Sequence, residues 1–175
     1  IILAKEFTIK RVEQVRDVFV FCIFTGLAFS DVKDLSPEHL VKDNKGELWI
    51  RKSRQKTKIM CNIPVLPVAA SILDKYKDVA ECTGKLLPVL CNQRMNSYLK
   101  EIADVCGIHK NLSTHTARHS YATSICLANG VSMENVAKML GHADTSVTKH
   151  YARVLDQNIF KDMQKVNSCL SELAI

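Results

Sequence analysis

Four glycines each stand just beyond a run of apolar residues at helical spacing, and this punctuation steers the 175-residue chain toward a largely helical fold. Val12, Val15, Val18, Phe19, Cys22 and Ile23 form the first run, closed by Gly26. Met95, Tyr98, Leu99, Ile102, Ala103 and Cys106 form another, stopped by Gly107. Thr114 is placed to cap a helix carrying His115, Arg118, Tyr121 and Ile125 that ends near Gly130. Ser132 is placed to cap the next, which runs through Val136, Met139 and Leu140 to Gly141. Ser30 and Ser36-Pro37 mark starts of short helices, and a helix beginning near Pro67 carries Ala69, Ile72, Leu73, Tyr76 and Ala80. A helix from about Thr145 would hold Val147 and Tyr151 four residues apart on one face. The tail, 157–175, is amphipathic through Ile159, Phe160, Met163, Val166 and Leu170.

The region 47–64 breaks this pattern. Glu47-Leu48-Trp49-Ile50 and Ile59-Met60-Cys61-Asn62-Ile63 are strand-like, and Arg51-Lys52-Ser53-Arg54-Gln55-Lys56-Thr57-Lys58 lies mostly between them. The expected fold class is therefore mainly α with a small antiparallel β-sheet, a hairpin with a basic tip. No repeat or Pro/Gly-rich linker divides the chain, so 1–175 is read as a single domain.

The net charge is +6, with five basic residues in the eight of Arg51 to Lys58, which reads either as a solvated loop or as a site for a polyanionic partner. Membrane binding fits poorly, because the basic run has no interleaved aromatic or large apolar residues and no apolar stretch approaches the ~20 residues of a span. Seven cysteines without a Cys-x-x-Cys support neither a zinc site nor a disulfide framework, and point to a reducing cytoplasm. The chain opens Ile-Ile-Leu-Ala-Lys-Glu-Phe, which reads as the C-terminal part of a longer protein.

Chemistry concentrates in two segments, His115-Thr116-Ala117-Arg118-His119 and Leu140-Gly141-His142 through His150-Tyr151. A phenol able to attack, an arginine able to hold an anion and several imidazoles suit metal-free chemistry on a phosphodiester. The six histidines have no acidic or cysteine partner at metal-ligand spacing, so no metal or cofactor is expected.

In order and spacing, Thr25-Gly26-Leu27, the hairpin Lys56, His115-x-x-Arg118-His119, Leu140-Gly141-His142 and Thr148-x-x-Tyr151 resemble the motifs of the tyrosine recombinase, or phage integrase, catalytic domain. The resemblance covers nearly the whole chain, and its overall flavour is similar to mobile-element integrases of Bacteroides-type bacteria. It implies that Tyr151 attacks the scissile phosphorus to give a 3′-phosphotyrosine, for integration or excision of a mobile element. It further implies that Arg118, His115 and His142 hold the phosphate, with His115 also placed to assist proton transfer. Lys56 would protonate the leaving 5′-oxygen, with Lys58 as its rival for that role. His119 would support the site, and His150 would neighbour Tyr151 without an assigned role. Arg51, Lys52, Arg54 and Lys58 would contact DNA. Partners would be double-stranded DNA, three further copies in a tetramer on two sites joined through the tail helix in trans, and an accessory directionality factor. A bacterial, nucleoid-associated location in the cytoplasm goes with them.

One departure stands out. The family reads Thr-Gly-Leu-Arg where this chain reads Thr25-Gly26-Leu27-Ala28, so the first phosphate-binding arginine is missing from its place. Losing one such preorganised donor typically costs about 10²–10³ in rate. Arg16, on the helix leading into that motif, is the candidate substitute, with Lys33 and Arg11 behind it. Arg16 as an ordinary surface residue stands beside that reading. The gap also keeps open a catalytically impaired DNA-binding module, and a type IB topoisomerase uses similar chemistry.

Overall fold

The computed structural model describes residues 1–149, 151 and the backbone of 156–171, with side chains in that last stretch at 160, 162–168 and 170. Helix α1 (Lys10–Thr25) runs through the middle of the domain: Val18, Phe19, Val20, Phe21 and Cys22 are consecutive and all buried, which only a helix covered on every side permits. It packs against α3 (Pro67–Lys75), α5 (Asn92–Val105) and α6 (Thr114–Ser120). Gly26 ends α1 in the left-handed conformation, as the apolar period predicts.

Between α1 and α3 lie the short α2 (Phe29–Lys33), a single 3₁₀ turn at Pro37–His39 capped by Ser36, and the sheet. The sheet has three antiparallel strands in the order β1 (Leu40–Lys42), β2 (Leu48–Ser53) and β3 (Met60–Pro64). The third strand, β1, has only three residues, too few to show a period of two in the sequence. Lys52 pairs with Cys61 and Arg51 with Asn62. Strand β2 thus extends into the basic run, and the turn proper is confined to residues 54–59.

Several boundaries shift for local reasons. The helix expected from Pro67 to Ala80 divides at Tyr76 into α3 and α4 (Lys77–Thr83). Ser113, not Thr114, caps α6, its Oγ accepting from the Thr116 amide at 3.2 Å. After α6 the chain widens into a π-helical stretch, Tyr121–Cys126, and tightens again at Leu127–Asn129. Hydroxyls of Ser120 and Thr123 donate to carbonyls four residues back, at 3.0 and 2.9 Å, a bonding that competes with the regular ladder. Ser132 does cap α7 (Met133–Leu140), followed by α8 (Thr145–Lys149) and α9 (Asp156–Ser171). Tyr151 lies in a turn beyond α8, its amide donating to the Thr148 carbonyl at 2.9 Å. Among the described residues no helix is long and apolar enough to cross a membrane.

A buried carboxylate fastens α1 to α3. Asp17 takes the Arg16 Nε at 2.6 Å, the Lys75 ammonium at 2.7 Å and the Tyr76 hydroxyl at 2.8 Å. Burial, followed by that carboxylate, pushes the Tyr76 phenol well above its ordinary pKa, so it remains a donor.

Gly141 carries a second constraint. It holds φ +62°, and a Cβ there would stand 2.7 Å from the Cys61 sulfur and 3.3 Å from the Ile59 carbonyl. Gly84 has a similar φ of +68° with nothing within 4 Å. Gly84→Ala should therefore cost only the left-handed strain, ~1–2 kcal/mol, whereas Gly141→Ala adds a clash with β3 of about 1–3 kcal/mol. Urea denaturation of the two variants checks this; equal losses would mean the turn can move away from β3.

Candidate active site

Arg118 is 3% exposed, and two helix ends meet on it. Its Nη1 donates to the Gly26 carbonyl at 2.7 Å and its Nη2 to the Leu140 carbonyl at 2.5 Å. These oxygens lie at the C-terminal ends of α1 and α7, where unpaired carbonyls concentrate partial negative charge. A third contact, 3.2 Å, joins Nη2 to His142 Nε2. A guanidinium has no acceptor, so Nε2 must accept here, and the ring proton sits on Nδ1, which donates to Thr148 Oγ1 at 2.9 Å. Burial first, then Arg118 and Arg54, lowers the His142 pKa to about 4. The imidazole is neutral at physiological pH.

The Tyr151 ring stacks on that imidazole with 6.3 Å between centroids and 8° between planes, and His119 meets it edge-on at 5.2 Å. Tyr151 and His142 border a cleft of 640 Å³ that also takes in Arg118, His115, Lys56, Arg54 and Ala28, while His119 lies behind the tyrosine outside the lining. All five expected catalytic side chains, Tyr151, Arg118, His115, His142 and Lys56, line this one cleft. His115 is exposed at its rim, one helical turn before the buried Arg118.

The hairpin reaches the cleft because its turn is fastened twice. Thr57 Oγ1 donates to the Gly141 carbonyl at 3.0 Å, and the Gln55 amide donates to Asp31 Oδ1 at 2.8 Å. Lys56 sits between these anchors and lines the cleft; Lys58 is exposed with φ +59° and does not. Both lysines lie in the turn, so strand alternation does not put them on one side. Asp31 and Thr57 are positioning residues that the sequence does not single out, and Thr148 of the Thr148-x-x-Tyr151 motif orients His142. Asp31, in Thr25-Gly26-Leu27-Ala28-Phe29-Ser30-Asp31, had an available signal: an acid on a short helix next to the motif.

The structure does not bring Arg16 to the site. Arg16 lies ten residues before Gly26, roughly 15 Å along the helix. It is engaged there by Asp17, by Glu13 at 3.7 Å and by the Lys5 carbonyl at 2.9 Å. Arg11 lies over the Tyr98 ring and Lys33 is exposed; neither lines the cleft. Lys52 is likewise no free DNA contact. It shares the inward face of β2 with Ile50, is 6% exposed, and reaches the Asp34 carbonyl and His39 Nε2 at 3.2 Å each. Arg51, one residue away on the other face, is exposed, as strand alternation requires. Arg54 lines the cleft instead of standing out at the tip. His150 lies outside the described residues.

A largely helical domain with a three-stranded antiparallel sheet is a fold shared with known proteins. Residues 9–158 match the model of the phage integrase family, and the chain belongs to that family. It is 42% identical over 118 residues to tyrosine recombinase XerD of Listeria monocytogenes, which covers 59% of this chain and 38% of that protein. It is 40% identical over 150 residues to a tyrosine recombinase of Pseudothermotoga lettingae, covering 82% of this chain and 50% of that protein. The chain thus spans half or less of the length of these curated relatives. Among solved structures, the XerH recombinase bound to palindromic difH substrate superposes with a TM-score of 0.71 at 19% identity, covering 93% of this chain and 48% of that one. The Tn1549 transposon integrase in complex with a circular intermediate DNA gives 0.64 at 15% identity, covering 90% and 60%. At those identities the likeness establishes the fold: mostly helical with a three-stranded antiparallel sheet.

The low His142 pKa has a consequence for stability. The unfolded chain binds a proton at that position near pH 6.5 and the folded one only near 4. Its contribution is therefore complete above pH 6.5 and is lost as pH falls toward 4. Thermal midpoints of wild type and His142→Gln should converge or cross over this interval. Parallel curves would place the titration elsewhere.

Proposed function

We propose that this domain cleaves and rejoins DNA strands through Tyr151, as the catalytic part of a site-specific recombinase acting in integration or excision of a mobile element. The observation that carries the reading is the convergence of Tyr151, His142, Arg118, His115 and Lys56 on one cleft. In the proposed step Tyr151 Oη bonds to phosphorus while the bond to the 5′-oxygen breaks. The phenolic proton passes to a base, with His115 the candidate, and Lys56 donates a proton to the departing 5′-oxygen. The bond energy is kept in the phosphotyrosine, so resealing by the 5′-hydroxyl reverses the step. A phosphate entering the cleft brings negative charge to His142, which favours protonation and turns Nε2 from acceptor to donor.

Tyr151→Phe should abolish covalent attachment to a nicked suicide DNA while leaving single-site DNA binding nearly intact. An adduct that persists in this variant sinks the assignment. Lys56→Ala should slow cleavage, and a 5′-bridging phosphorothioate, whose leaving group needs no proton, should restore much of the rate; Lys58→Ala should need no such rescue. DNA relaxation without a recombination site would favour the topoisomerase-like alternative, and binding without any adduct the impaired module.

DNA binding is expected to weaken steeply with salt, with Arg51 and Lys58 as hairpin contacts. Neutralising each should reduce the log K versus log salt slope by ~0.9 per lost phosphate contact. Lys52→Ala should lower stability instead.

Assembly into a tetramer on two DNA sites, with an accessory directionality factor, is the finer part of the proposal. Phe160, Met163, Val166 and Leu170 recur along α9 and are 45–65% exposed in the single chain, which supports docking of this tail onto another copy. Ile159, expected on the same face, has its side chain outside the described residues. Deleting 157–175 should reduce pairing of two sites more than binding to one; equal loss of folding and binding would place the tail on its own domain.

A further inference from the structure

The cation absent at Ala28 leaves a cleft with one buried arginine where a scissile phosphate offers two non-bridging oxygens. Arg54 lines the same cleft. It follows β2 directly, two residues beyond the buried Lys52 and four beyond the buried Ile50, so the strand's alternation directs it inward. Its backbone is fixed on both sides: its amide donates to the Ile59 carbonyl at 2.9 Å and its carbonyl accepts from the Lys58 amide at 2.8 Å. The next amide is held by Asp31. Its Cβ lies 3.4 Å from where a Cβ on Gly141 would stand, beside the His142 turn. Its Nε is buried with no hydrogen-bond partner, and among the described residues its guanidinium joins no ion pair. A permanently charged fork, held by its backbone yet left without an acceptor, suits an anion from outside.

We propose that Arg54 binds a non-bridging oxygen of the scissile phosphate together with Arg118, supplying from the hairpin the second guanidinium missing at Ala28. This rests on the strand-cleavage reading above. Arg118 has Gly26 and Leu140 as fixed partners; Arg54 has no side-chain partner among the described residues, so its donors are the ones free to meet an incoming anion. Its proximity also helps keep His142 neutral in the free protein, through repulsion of a second positive charge. A bound phosphate cancels that effect.

The test measures covalent adduct formation by the full chain on two suicide DNAs, one with a normal scissile phosphodiester and one with a methylphosphonate there. The methylphosphonate lacks the charged oxygen, so a residue that neutralises it becomes dispensable. Arg54→Ala should lose about 10²–10³ in cleavage rate on the phosphodiester and much less on the methylphosphonate. Arg54→Lys should retain part of the rate, and Ala28→Arg added to Arg54→Ala should recover part of it. Equal losses on both substrates, or near-normal cleavage of the phosphodiester by Arg54→Ala, overturn the assignment of Arg54 while leaving Tyr151 chemistry standing. A wild-type chain that forms no adduct on either DNA overturns the strand-cleavage reading itself, and this role with it. If Arg54→Ala does not fold, Arg54→Lys compared on the two DNAs decides by the same ratio.

Discussion

A guanidinium removed from water must find acceptors, and Arg118 finds them at the ends of two helices that are far apart in sequence. Gly26 and Leu140 are more than a hundred positions apart, yet both of their carbonyls point at this side chain. The burial cost of the charge is offset by oxygens that the two helix ends would otherwise leave unpaired. The same contacts set the geometry of the cleft. Leu140 is followed at once by Gly141 and His142, so fixing its carbonyl also fixes the turn that carries the imidazole. Tyr151 then stacks on that imidazole. Removing Arg118 would leave two buried carbonyls unpaired as well as an empty anion site, so its loss would be read in folding and chemistry together.

The hairpin is the other movable part of this arrangement, and it is fixed by small contacts. Cys61 packs where any side chain at position 141 would intrude, Thr57 bonds to the Gly141 carbonyl, and Asp31 takes the Gln55 amide. These three contacts hold Lys56 and Arg54, in the turn after the central strand β2, at the cleft. Asp31 thereby links the motif at Ala28 to the hairpin: the short helix after the absent arginine is what holds the hairpin arginine in place.

Much of this was legible before any coordinates. Glycine stops placed the ends of α1, α5 and α7, and the five side chains singled out by the motifs line one cleft. The mistakes share a physical origin. Arg16 was chosen for its nearness in sequence to Ala28, but a helix separates residues by 1.5 Å each, and ten residues outrun any side chain. Reading Arg51, Lys52, Arg54 and Lys58 together as DNA contacts counts charge without its period. Ile50 marks the buried face of β2, and the alternation from it puts Lys52 and Arg54 inward while Arg51 stays out. What the sequence could not show was where the turn would dock, since Thr57 and Gly141 meet across more than eighty residues.

The two inward basic residues, Lys52 in β2 and Arg54 just beyond it, differ in what meets them. Lys52 is satisfied by Asp34 and His39, so its charge is used within the fold. Arg54, two residues on, meets no acceptor of its own domain among the described residues, and the cleft it lines also carries Arg118 and a neutral His142. Placing like charges around one cleft is unfavourable until an anion enters. In the proposed role of Arg54, a phosphodiester entering the cleft relieves this repulsion, which would favour binding of the DNA backbone here. On that proposal, the positive group missing at position 28 is delivered by the hairpin instead of by the turn after α1.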